Sequence, residues 1–145
     1  MKKILIVLVF CLVSMSGFCQ IQVQDGPETR DVVRAMGWNS SVTIVEVKYE
    51  DITSYYIRSI TTNKFDDSFL MLIGYTEEDV IASLEALNKM SSAEKGKKFT
   101  INENFRASVV ANNTLYLGGT GYAGFAQITK NQIEKLLQYY ANGGH

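Results

Sequence analysis

Cysteine, histidine and proline are nearly missing from this chain, and each shortage narrows what the protein can do. Among 145 residues there are two cysteines, one histidine and one proline. Both cysteines, Cys11 and Cys19, fall in an N-terminal segment with the order of an export signal. The mature domain is therefore expected to hold no cysteine and to rely on its core rather than on disulfides. The histidine is His145, the last residue, after Asn142-Gly143-Gly144. A single terminal histidine, with no cysteine to join it, does not make a metal site. Nor does it supply the base of a Ser-His or Cys-His pair inside a folded core, and no cofactor is expected. Pro27 is the only proline, and there is no internal repeat or low-complexity segment, so one domain is expected.

Long basic runs are missing too. The net charge is −1, and removing the signal takes Lys2 and Lys3 from the 14 basic residues, so 12 face 15 acidic ones. That balance gives little counterion-release drive for nucleic acid. The short cluster Lys95, Lys97, Lys98 follows Glu94 and reads as the solvated end of a helix. After residue 19 no apolar run is long enough to cross a bilayer.

What is present begins with the signal itself. Met1-Lys2-Lys3 is basic, Ile4–Val13 is apolar throughout, and small or polar residues follow. Ten apolar residues rise only about 15 Å as a helix, half a hydrocarbon core, so a cleaved signal over 1–19 is favoured over a permanent span. Cleavage after Cys19 leaves a mature N-terminus at Gln20 and an exported, periplasmic or extracellular protein. The alternative is a lipoprotein acylated on Cys19, although Phe18 is bulky where such signals want a small residue.

Residues 20–40 form an N-terminal arm of uncertain structure. Val32, Val33 and Met36 can share one helical face behind Pro27, and a mobile arm fits equally well. Residues 41–145 read as a single α+β domain. Val45, Val47 and Tyr49 alternate with Glu46, Lys48 and Glu50, the pattern of a half-buried antiparallel strand. Ser54–Thr62 and Ser68–Ile73 follow as strands, the latter apolar enough to be buried on both faces. Thr76, with Asp79 three residues on, opens a helix whose apolar stripe is Val80, Leu84 and Leu87. Lys98–Asn102, Phe105–Ala111, Thr114–Leu117 and Tyr122–Ile128 are further strands, with Asn112-Asn113 as a two-residue hairpin loop. Thr129 and Gln132 form the capping box of a last helix with a stripe of Ile133, Leu136, Leu137 and Tyr140. The expected architecture is a mainly antiparallel curved sheet or partly closed barrel of about seven strands. One helix lies between strands three and four and one at the C-terminus. A barrel closed by a terminal helix would resemble the pleckstrin-homology type of architecture, which carries no function by itself.

Three motifs bear on chemistry. Gly119-Thr120-Gly121-Tyr122-Ala123-Gly124 spells G-x-G-x-x-G, but it leads into a strand-like run rather than opening a helix, so it reads as a hairpin turn. Carboxylates are the remaining acid–base groups. Glu77–Asp79 is explained by helix capping and Glu46/Glu50 by a polar strand face, which leaves Asp66-Asp67 as the least explained pair. Tyrosine is the one excess, with eight in the mature domain. Tyrosine combines contact area with few torsions and a polar tip, which suits recognition surfaces. Tyr55 and Tyr56 must face opposite ways, and Tyr116, between Leu115 and Leu117, faces away from them. Tyr56, Tyr116 and Tyr122 are the candidate binding residues if their strands are neighbours. The reading is a non-catalytic module that binds a protein, peptide or glycan through these tyrosines. A small carboxylate-dependent hydrolase and a carrier of an apolar or lipid ligand are the alternatives, and no catalytic residue is assigned.

Overall fold

Two antiparallel meanders, each followed by a helix, make up the fold. The computed structural model describes residues 26–61, 69–120 and 124–144. The first meander is β1 (Glu28–Met36), β2 (Ser40–Tyr49), β3 (Ile52–Thr61) and β4 (Phe69–Gly74), followed by α1 (Glu77–Ser91). The second is β5 (Lys98–Thr100), β6 (Phe105–Ala111), β7 (Thr114–Gly119) and β8 (Phe125–Thr129), followed by α2 (Lys130–Ala141). Each meander is its own four-stranded sheet, in the order β1-β2-β3-β4 and β5-β6-β7-β8.

The α+β, antiparallel character is as expected, but the single curved sheet or barrel is replaced by two open sheets. The crossover through α1 carries the second meander onto the first instead of beside it. β3 is paired on both edges, so β8, which lies against it, approaches across its face. Phe69 of β4 meets Phe105 of β6 edge-on, ring centres 5.7 Å apart at 78°, which joins the two inner faces. With no barrel, the analogy to a pleckstrin-homology architecture lapses.

The first helix follows the fourth strand rather than the third because residues 28–36 are a strand. Its ladder with β2 runs from Glu28↔Lys48 to Met36↔Ser41, with a bulge between Asp31 and Val33. The extra residue breaks the two-residue period. Val32, Val33 and Met36 then fall at a spacing that imitates a helical face. β4 also departs from expectation. Phe69, Met71 and Ile73 point inward while Leu70 and Leu72 stay 46% and 38% exposed, because an edge strand of a one-sided sheet keeps only alternate residues dry.

Local signals hold at both helices. Thr76 accepts from the Asp79 amide, and Asp79 Oδ2 accepts from the Tyr75 and Thr76 amides at 3.0 Å each. Thr129 and Gln132 make the equivalent box for α2. α2 ends in a Schellman turn, Gly143 N–H to Tyr140 C=O and Gly144 N–H to Tyr139 C=O, with both glycines at positive φ. Val80, Leu84 and Leu87 of α1 and Ile133 and Leu136 of α2 are buried against both sheets in one core. Each such side chain contributes about 1.5–3 kcal/mol.

Candidate functional site

Register decides which side chains each sheet turns away from that core. On the outer face of the first sheet, the ladders align Met36–Ser41–Ile60, then Arg34–Thr43–Arg58–Leu70, then Asp31–Val45–Tyr56–Leu72, then Thr29–Val47–Ser54, and finally Tyr49–Ile52. Of the nine large apolar side chains left exposed among the described residues, six lie on this face: Met36, Tyr49, Ile52, Ile60, Leu70 and Leu72. A seventh, Trp38, sits in the β1–β2 hairpin beside Met36 and is 97% exposed. Scattered apolar residues on a surface are ordinary, so the informative feature is that most of the exposed ones share one sheet face.

A charged stripe crosses the face. Asp31 accepts from Arg34 Nη2 at 3.1 Å and from Arg58 Nη2 at 2.9 Å. Two guanidinium groups thus share one carboxylate, and Arg58 Nε is buried with no hydrogen-bond acceptor among the described residues. The stripe is left one positive charge in excess.

Of the candidate tyrosines, Tyr56 and Tyr116 lie on different sheets. Tyr56 is half-buried on β3, within the apolar face just described, in register with Val45 and Leu72. Tyr116 is half-buried on β7, facing away from buried Leu115 and Leu117, and stacks on Phe125 with ring centres 5.5 Å apart. β3 and β7 belong to sheets whose inner faces share a core, so the two tyrosines look in different directions. Tyr122 lies outside the described residues, as do Asp66, Asp67, His145 and the signal segment. The two outer glycines of G-x-G-x-x-G flank the β7–β8 connection, where the Gly119 amide donates to the Gly124 carbonyl at 3.0 Å.

A polar cluster closes one end of the inner face. Glu46, 7% exposed, accepts from the Tyr55 hydroxyl at 3.1 Å and from Arg30 at 3.3 Å, and Lys48 stands 3.4 Å away. Burial works to raise its pKa, but the Tyr55 hydrogen bond and the two cations prevail, and the carboxyl titrates below its usual value. A carboxylate held ionised in this way serves as an anchor for Arg30 and Lys48 rather than as a proton donor. Burial first, then the Glu46 carboxylate, raises the Tyr55 hydroxyl. Burial likewise raises that of Tyr140, helped by Glu77.

Among the described residues no three His, Cys, Asp or Glu side chains come together to hold a metal ion. Nor, among them, is any helix long and apolar enough to cross a membrane. The region between the sheets is filled by Ile44, Phe69, Leu115 and Leu117, and an apolar cleft of about 250 Å³ lies where β4 and α1 meet Ile101. Comparison of the chain with protein-family models, with curated proteins and with solved structures finds no match.

The sequence reading overlooked Trp38, Met36, Leu70 and Leu72. A signal for two of them was present, since an unbroken apolar run on a six-residue strand forces apolar side chains onto both faces.

Proposed function

We propose that this protein is an exported, non-catalytic interaction module that docks a partner protein on the outer face of its first sheet. The observation that carries the reading is the concentration of exposed apolar side chains on that face, with half-buried Tyr56 on the same face and Trp38 at its end. Tryptophan, tyrosine and arginine are the residues that dominate binding energy at interfaces, and all three occur here, Trp38 in the β1–β2 hairpin, Arg34 on β1, and Tyr56 and Arg58 on β3. The partner is a protein with an apolar surface and a carboxylate placed to meet the Arg34–Arg58 pair, which outnumbers Asp31. Export follows from the signal-like residues 1–19 and gives the encounter an envelope or extracellular setting.

The test is photo-crosslinking in the producing cells, from positions 38 and 72 and, as a control, from Gln127 on the second sheet. The expected result is one dominant adduct from the first two positions. Capture of that partner should weaken at least about tenfold for Trp38→Ala and Leu72→Lys, both at exposed sites and with unaltered melting temperature. Equal capture by wild type and both variants would remove the face as the docking site.

A further inference from the structure

The second sheet carries a separate concavity on its own outer face. It measures about 400 Å³ and is lined by Lys98, Thr100, Arg106, Ser108, Tyr116 and Gly118. The register explains the shape. Lys98, Ser108 and Tyr116 lie in one cross-strand row, and Thr100, Arg106, Gly118 and Phe125 in the next. Gly118 contributes no side chain, so the floor is low at the centre. Tyr116 and Phe125, stacked at 20°, stand on one side as an aromatic wall, with Phe125 47% exposed. Lys98 and Arg106 stand opposite, and among the described residues no carboxylate pairs with either.

Such a lining asks for a ligand of mixed chemistry. Two cations on adjacent strands, unpaired among the described residues, call for an anionic group, which Arg106 can grip in bidentate fashion. Two hydroxyl side chains, Ser108 and Thr100, call for hydrogen-bonding partners on the ligand body. The aromatic wall calls for an apolar or C–H-bearing face to lie against it. A sugar ring with an acidic substituent offers all three: a C–H face, ring hydroxyls and a negative charge. The volume lies in the range of small-ligand sites, about 300–1,000 Å³, and accommodates a short saccharide rather than a macromolecular surface. Two cations are too few to track a nucleic-acid backbone. We propose that this concavity binds an acidic saccharide, with Arg106 and Lys98 on its anionic group and Tyr116 beneath a ring. The site is independent of the protein-docking face of the first sheet.

Gly118 makes the proposal testable without disturbing any charge. Its backbone is not in the left-handed region, and an added Cβ would meet only the Tyr116 ring, at 3.5 Å, an ordinary contact. Gly118→Val puts a branched residue that suits a strand on the floor beside the Tyr116 ring, and its melting temperature checks that the fold is kept. The experiment probes the purified full-length secreted protein against immobilised uronic-acid, sialylated and sulfated oligosaccharides with neutral ones alongside, followed by calorimetric titration of the best binder. The expected result is saturable binding of an acidic oligosaccharide and none of its neutral counterpart. Gly118→Val should abolish it at an unchanged melting temperature. Lys98→Gln with Arg106→Gln should weaken it about tenfold or more, and Tyr116→Ala comparably. Retention of none of the acidic glycans would overturn the proposal, as would equal binding by Gly118→Val. Inorganic sulfate binding as tightly as the oligosaccharide would overturn the saccharide assignment.

Discussion

Gln132 ties the start of α2 to the β1–β2 hairpin, and Gly37 is the residue that lets it do so. The Gln132 side chain is 1% exposed. Its Oε1 accepts from the Thr129 amide at 3.0 Å, and its Nε2 donates to the Ser40 carbonyl at 3.3 Å. A Cβ on Gly37 would stand 2.5 Å from Gln132 Nε2, 2.9 Å from its Cδ and 3.2 Å from the Ser40 carbonyl oxygen. Gly37→Ala should thus destabilise the domain by about 1–3 kcal/mol through overpacking of a fixed side chain. Gln132→Ala removes half the capping box and takes the side-chain acceptor from the Thr129 amide, worth about 1–2 kcal/mol, while the Ser40 carbonyl keeps the Gly37 amide. In the double variant the two closest clashes vanish with the glutamine, and only the Ser40 oxygen remains near. Adding Gly37→Ala to Gln132→Ala should then cost about 0.5 kcal/mol or less, since alanine also lowers the entropy of the unfolded chain. The double-mutant cycle should show a coupling of about 1–2 kcal/mol, read from urea denaturation at constant m. Additivity within about 0.5 kcal/mol would refute the reasoning, because it would mean Gln132 does not occupy the space above Gly37.

Other perturbations test other links. Phe69→Ala empties a fully buried site at the junction of the two sheets and should cost about 3–5 kcal/mol by chemical denaturation. Glu50, in the β2–β3 turn, holds φ at 53°, so Glu50→Gly should raise stability by about 0.5–1 kcal/mol, measured as a higher urea midpoint. Asp79 is held below its ordinary value of 3.8 by the Tyr75 amide and by the Thr76 hydroxyl and amide, and Glu46 below its ordinary 4.5. The stability these depressed carboxylates contribute is present above those values and is lost as pH falls through the folded-state pKa values. Denaturation midpoints should therefore drop on acidification, and by less in Asp79→Asn. At the other end, Tyr55 is raised above 10.0, so the unfolded chain releases that proton first and stability should decline as pH rises past it.

The distinction between what sequence reveals and what packing decides follows the range of the interactions. Both capping boxes were legible because an N-cap and its N3 partner lie three residues apart and satisfy each other without outside help. The Asn112-Asn113 hairpin was legible for the same reason, with Asn113 at φ 59°. The outward aim of Tyr116 followed from strand alternation alone. β1 was misread because its bulge, which exists only through pairing with β2, disguises a strand period as a helical one.

Local chemistry thus determined the composition of the domain: strands from β2 onward, two capped helices, and the side on which most residues fall. Only the tertiary structure decided that the strands form two sheets rather than one, because α1, between β4 and β5 in the chain, packs into the core that both sheets share. That decision separated Tyr56 from Tyr116. It left Tyr56 on the outer face of the first sheet and Tyr116 beside the concavity of the second. The free energy of burying one shared core, summed over contacts far apart in sequence, leaves no trace at the spacing of any single motif.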